Sequence, residues 1–381
     1  METATRVFYF LLVMSMALGA TLRPTYNWDL FGYMGAALKL NNDDAAQIHA
    51  QVYMQAKSVI PNDKYRELTS SPYRADMQLD ANHFAQQLPF YNVRPLFVVL
   101  VAAIHKAGLN LVYAVYVVPA LSYLAITVLL FIWLNRHVHT AYATLFSALL
   151  AISPPLLAVS RSGTPDALSA AILFGALYML LEKRRLLYFG ALLVLSLFAR
   201  SDNIIFAFLL STYLVIFGRG RWALSLPQFT ALAVACGVSY FAIDLFAGYY
   251  GWATVFYHTF VAFMSTPAQQ SIHITLRDYL GAFKEGLHTI LDNYFIFFAF
   301  LGVITYSLTK TNSKDSLNAP YSHILVVIAA TIGLRYVLFP LLLDRFVIFF
   351  YLAVATILII KSAEYAQMHK PATSAVNAMR V

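Results

Sequence analysis

Long apolar runs separated by polar connectors dominate this chain. Ten of them read as membrane helices: 7–22, 110–134, 141–159, 166–181, 186–199, 203–217, 226–248, 289–309, 321–341 and 345–361. A helix needs about 20 residues to cross the hydrocarbon core, so 186–199 and 203–217 are short. They fit two short helices meeting at a depressed outer surface, or a re-entrant hairpin. Either arrangement sets Arg200 and Asp202 below the usual membrane surface, facing protein or water. The segment 23–109 breaks the pattern. Residues 29–40 (DLFGYMGAALKL) predict a helix, and 41–93 are polar and too few for a large independent domain. Residues 95–107 (PLFVVLVAAIHKA) are apolar but polar-ended, which predicts an interfacial or re-entrant helix. No internal repeat, nucleotide-binding glycine loop or metal-spaced Cys/His cluster is visible.

The connectors alternate in charge. Arg136, the run Lys183-Arg184-Arg185, Arg219 with Arg221, Lys310 with Lys314, and Lys361 with Lys370 fall on one side. The positive-inside rule makes that side the cytoplasm and puts both termini there. The N-terminus has the outline of a signal peptide, Arg6 followed by an apolar core and Ala17-Leu-Gly-Ala20. Its charge pattern matches the later spans, so it reads as an uncleaved anchor. The other face carries 23–109, the turns at Arg161–Asp166 and Arg200–Asp202, a second large loop at 249–288, and Asp344-Arg345. Acidic residues concentrate there, and only the tail 362–381 follows the last span.

Composition agrees. The 381 residues are 60% hydrophobic and 12% charged, where a soluble domain averages about 25% charged. The expected fold class is an all-α polytopic membrane protein forming a single domain over 1–381. Aromatics at 15% suit interfacial belts and a ring-lined cavity. The single cysteine, Cys236, excludes an internal disulfide. The net charge of +8 belongs to the topology signal and does not point to nucleic acid.

Few charges then remain to do chemistry. Asp29 lies where the first span leaves the bilayer, at the start of a predicted helix, where the dipole favours a carboxylate. Tyr33 is four residues on and shares its face. The pair reads either as a general base with a substrate-touching phenol or as an ordinary helix start with an interfacial tyrosine. In Arg161-Ser-Gly-Thr-Pro-Asp166, Thr164 is a predicted N-cap and Pro165 the first helical residue. Asp166 therefore either serves the helix start or, with Arg161, faces a cavity. Arg200-Ser-Asp202 and Asp344-Arg345 each read as a local ion pair or a substrate contact. Arg335 lies inside a span, where an arginine must be paired or face water. It suits a lipid phosphate, or pairs with Asp244. His49, His83, His105, His258, His273 and His288 lack ligand spacing, so no metal site is predicted.

Four stretches resemble the GT-C superfamily of integral-membrane glycosyltransferases, which includes lipid-A aminoarabinose transferases and protein mannosyltransferases. They are Arg23-Pro…Asp29…Tyr33…Ala36-Ala37; Tyr91-Asn-Val-Arg94-Pro-Leu-Phe97 with Lys106-Ala-Gly108; Ser153-Pro-Pro155…Ser160-Arg-Ser-Gly-Thr-Pro-Asp166; and Phe198-Ala-Arg200-Ser-Asp202 with Phe339-Pro340…Asp344-Arg345-Phe346. Their order covers nearly the whole chain. The resemblance implies a GT-C-like fold in which Asp29 is the catalytic carboxylate. It implies a polyprenyl-phosphate sugar donor, an inverted product, and a cell-envelope glycan, glycolipid or protein acceptor. A second acidic residue of some members corresponds to Asp166, which leaves a divalent metal open; no other cofactor is implied.

The expectation is thus a multi-pass glycosyltransferase of a bacterial inner membrane with its site on the extracytoplasmic face. Arg23, Tyr33, Arg94, Arg161, Asp166, Arg200, Asp202, Arg335 and Arg345 are the candidate substrate contacts, with membrane lipids as further partners. A transporter or lipid-linked-sugar flippase is the alternative. It predicts repeated halves and polar groups near the midplane, whereas here the polar groups gather on one face.

Overall fold

The computed structural model describes residues 2–218, 220–248, 250–311 and 319–368. Arg219, Lys314, Lys370 and the tail beyond Met368 lie outside the described residues, as do the side chains of Arg221 and Lys310. Among the described residues the structure is helical, with one isolated β-bridge between Thr25 and Ser162.

Helix α1 (Glu2–Leu22) leads into an outer segment. That segment holds α2 (Asp29–Lys39), α3 (Ala45–Val59), and the short helices α4 (Asn62–Thr69), α5 (Pro72–Leu79), α6 (Ala81–Gln87) and α7 (Pro89–Asn92). Helix α8 (Pro95–Lys106) closes it, bent 115° from the helical stretch before it. The chain continues through α9 (Leu111–Leu134), α10 (Thr140–Ala151), α11 (Pro154–Ser160), α12 (Asp166–Tyr178), α13 (Leu186–Ala199), α14 (Ile204–Ile216) and α15 (Leu226–Ala247). A second outer segment carries α16 (Trp252–Phe260) and α17 (Leu276–Leu291), and α18 (Phe295–Thr311), α19 (Ala319–Leu338) and α20 (Asp344–Met368) complete the fold.

Each of the ten apolar runs is helical over most of its length. Among the described residues, five helices are long and apolar enough to cross a membrane, or up to eight if each of three bent pairs is one span. The difference from ten has physical causes. Helices α13 and α14 have 14 and 13 residues, or about 20 Å at 1.5 Å per residue, against a core of about 30 Å. The run 166–181 leaves α-helical geometry after Tyr178 and finishes in a π-turn at Met179–Lys183. The run 141–159 bends by 63° where Pro154 and Pro155 withhold their backbone donors. Helices α1 and α15 leave Phe8, Leu11, Leu18, Phe241, Leu245 and Phe246 exposed. Such side chains belong against lipid, since keeping one in water forgoes about 1.5–3 kcal/mol.

Helix α12 positions the site. It packs against α9, α13 and α20, and buried Ala167, Ser169, Ala170 and Ala176 let those backbones come close. The starts of α12 and α20 thereby meet the end of α13.

Candidate functional site

Six charged side chains from five elements converge where these ends meet. Arg200, after α13, donates from Nε and Nη2 to Asp202 at 3.0 Å each, a forked pair within one turn. Its Nη1 also donates to the Asp166 carboxylate. Arg335, near the end of α19, reaches Asp202 at 2.7 Å and donates to the Phe346 carbonyl at 2.8 Å. Arg345, in the first turn of α20, donates to Asp29 at 3.0 Å and approaches Asp166 at 3.8 Å. The ring of Phe346 lies under all three guanidiniums, 4.4 Å from Arg200, 4.9 Å from Arg335 and 5.0 Å from Arg345. Its π face attracts cations that would otherwise repel one another.

Three carboxylates and three guanidiniums make the cluster formally neutral. It grades from dry to wet. Asp166 is 3% exposed and Arg200 9%, whereas the Asp29 and Arg345 side chains are 32% and 30% exposed. Asp29, like the equally exposed Asp202, therefore stands at the wet side of the cluster. A cavity of about 20 Å³ lies among Asp166, Arg200, Asp202, Asn203, Arg335 and Arg345, room for about one water. Burial pushes the Asp202 carboxyl up, but Arg200 and Arg335 outweigh it and hold the group well below the usual carboxylate range.

Local structure explains how Asp29 gets there. Thr25 bridges to Ser162, with its N–H on the Arg161 carbonyl at 2.9 Å. Arg161 Nε donates to the Arg23 carbonyl at 2.7 Å, and Asn27 donates to the Ser162 hydroxyl at 3.3 Å. These bonds strap the strand before α2 to the loop before α12. One turn into α2, the Tyr91 ring occupies the space that a Cβ on Gly32 would need, so the helix lies close against α7.

The predicted residues divide accordingly. Asp29, Asp166, Arg200, Asp202, Arg335 and Arg345 come together. Arg23 and Arg161 are exposed and stand outside the cluster, holding the strap. Arg94 donates to the Phe90 carbonyl at 2.6 Å, and its charge is felt at both Asp202 and Tyr33. Tyr33 is 3% exposed, edge-on to Tyr91 and Phe97; burial pushes its phenol up, so it remains protonated.

Three local expectations need correcting. Arg335 pairs with Asp202, while Asp244 is exposed to its surroundings. Asp344 and Arg345 do not pair: Asp344 accepts from the Tyr294 N–H at 3.0 Å and the Tyr351 hydroxyl at 2.7 Å, which frees Arg345 to cross to Asp29. Pro165 rather than Thr164 caps α12, and the Thr164 hydroxyl donates to Asp166 at 2.7 Å. Sequence reasoning missed Phe346 as a platform and Asn203, which donates to Ser169 at 2.8 Å and the Ser196 carbonyl at 2.9 Å. A phenylalanine directly after Asp344-Arg345 was the available signal for the first; the second had none. No group of three His, Cys, Asp or Glu among the described residues is placed to hold a metal; guanidiniums stand between the three aspartates.

Comparison with protein-family models, with curated proteins and with solved structures finds no match.

Proposed function

We propose that the protein is a GT-C-type membrane glycosyltransferase, moving a sugar from a polyprenyl-phosphate donor to a cell-envelope glycan, glycolipid or protein acceptor. The observation that carries this reading is the Asp29–Arg345 pair at the solvated edge of a buried, arginine-rich cluster. The four sequence stretches quoted above support it.

The chemistry needs two opposed functions, a base for the acceptor and cations for the leaving phosphate. Asp29 accepts the proton of the acceptor hydroxyl as that oxygen bonds to the sugar's anomeric carbon. The bond from that carbon to the phosphate oxygen breaks on the opposite face, its electron pair stays with the phosphate, and the configuration inverts. Arg345 supports the departing charge, with Arg94 as the cation beyond the neutral cluster. Phosphate competes with Asp29 for the Arg345 guanidinium, so donor binding releases the base it requires. A one-water cavity cannot hold a sugar phosphate, so binding also parts the cluster. The donor's lipid tail stays in the bilayer while its head reaches Asp29. No nucleotide-binding loop is needed for such a donor.

The site would lie on the extracytoplasmic face of a bacterial inner membrane, opposite the basic connectors. The test is transfer from a polyprenyl-phosphate sugar by protein reconstituted in nanodiscs, alongside mass spectrometry of envelope glycans with and without the gene. Transfer that D29N abolishes, with protein still folded in the membrane, is expected. Undiminished transfer by D29N removes Asp29 as the base. Substrate flux across proteoliposomes without sugar transfer replaces the enzyme reading with a transporter or flippase.

A further inference from the structure

The far end of α12 holds a second arrangement of charge. The π-turn Met179–Lys183 points Glu182 inward, where its Oε1 meets the Trp133 Nε1 and His137 Nε2 at 2.8 Å each. The turn closes with the Arg184 and Arg185 amides on the Met179 carbonyl. Arg184 takes φ 51°, a left-handed conformation unusual for a residue with a side chain. The result is an open notch of about 620 Å³ lined by Glu182, Lys183, Arg184 and Arg185.

Three consecutive cations surround that notch, and no carboxylate among the described residues pairs with any of them. The acid beside them, Glu182, is taken up by His137 and Arg136. Two have their charged heads near rings: the Lys183 Nζ lies 5.7 Å from the Tyr178 ring, and the Arg184 Cζ lies 5.6 Å from the Trp222 ring. A ring against one face of the planar Arg184 guanidinium leaves its N–H edge for an anion, and each ring covers only one side of its cation. The next residues, Leu187 and Tyr188, are 81% and 58% exposed. Apolar groups that open belong against acyl chains, so the notch straddles the border between hydrocarbon and water.

We propose that this notch binds the phosphate of an anionic membrane lipid, with Lys183, Arg184 and Arg185 on the headgroup and Leu187 and Tyr188 against its chains. A free phosphate would use the same cations, but it gives no reason for the exposed leucine and tyrosine. The site is separated from the aspartate–arginine cluster by the length of α12 with its π-turn, 13 and 5 residues, about 27 Å. It does not depend on the proposed transferase activity.

The test is native mass spectrometry of the full chain taken from mixed vesicles of phosphatidylglycerol and phosphatidylcholine. Wild type should retain phosphatidylglycerol selectively. K183A/R184A/R185A should lose roughly 100-fold in retention, since each cation near a membrane surface contributes about fivefold. W222A keeps every charge but removes the ring under Arg184, and should lose severalfold. Thermal unfolding confirms that both variants are folded. Retention unchanged in the triple variant overturns the site, and retention unchanged in W222A reduces it to a diffuse basic collar. Inorganic phosphate binding wild type in phosphatidylcholine alone, as tightly as the lipid does, overturns the lipid assignment.

Discussion

The two ends of α12 solve the same problem, a charge held out of water, in different ways. At one end Asp166 sits in a lattice of three carboxylates and three guanidiniums whose outer edge, Asp29 and Arg345, is open to solvent. At the other, Glu182 is a lone carboxylate satisfied by Trp133 and His137, with Arg136 at 4.0 Å and the Tyr321 hydroxyl at 3.4 Å. The second arrangement gathers donors around one carboxylate and pins a helix end between α9 and α19. The first carries more ionic groups than pinning requires, and at its solvated edge Arg345 is open to another anion beside Asp29. A buried ion pair is weak evidence for stability, because desolvation offsets much of the attraction. An excess of such pairs at a solvated edge points to ligand chemistry.

The sharpest way to break this contrast is D29N. Under the proposed function, removing the base should slow transfer by about 10²–10⁴, with thermal stability nearly unchanged because Asp29 is half-exposed. A large fall in stability with little change in rate would make the outer cluster structural, like the inner one. Next is R200M, which takes the nearest cation from the buried Asp166 and one of two from Asp202, which keeps Arg335 at 2.7 Å. Breaking a buried pair costs about 3–5 kcal/mol, read as a fall in unfolding temperature in nanodiscs. E182A tests the other end: it leaves buried donors unpaired at about 1–3 kcal/mol, and should lower stability without changing the transfer rate. Equal effects of R200M and E182A on rate would erase the distinction.

The smallest effect is on the outer segment, where a histidine holds a strap. The His258 Nδ1 accepts the Met264 N–H at 3.1 Å. Gln87 donates to the Met264 and Ser265 carbonyls at 3.1 and 3.0 Å while accepting from the Tyr73 hydroxyl at 2.9 Å. Burial pulls His258 down to about 4 from the usual 6.5. Its folded value lies below its unfolded one, so the stabilisation is full above pH 6.5. It declines as pH falls toward 4, where the folded form too gains its proton. Hydrogen exchange in 250–270 should rise across that window, and H258N should flatten the profile. A flat profile in wild type would show that the strap does not depend on the neutral imidazole.

Much of the architecture was legible from spacing. The ten apolar runs became helices because period and hydropathy are local properties. The short pair 186–199 and 203–217 stayed short, and 29–40 folded with Asp29 at its first turn. Arg200 and Asp202, two apart across a tight turn, met as proximity allowed. What spacing could not reveal was which distant charge each would also hold. Asp344 and Arg345 looked like local partners, yet adjacent side chains on a helix diverge, and Asp344 was captured by the Tyr294 N–H just ahead of α18 and by Tyr351.

The sequence by itself therefore determined a helical membrane protein, apolar runs that fold as helices over most of their length, and a set of acids and arginines at the connectors. Only the tertiary structure decided that Arg345 crosses 316 positions to Asp29, that Arg335 takes Asp202, and that Phe346 underlies three cations. It likewise placed Glu182 among donors from α9 and α19. Helix formation depends on neighbours within a turn or two along the chain. Ion-pair choice depends on which helix ends the packing of α12 against α9, α13 and α20 brings within a few ångströms, and no local pattern encodes that.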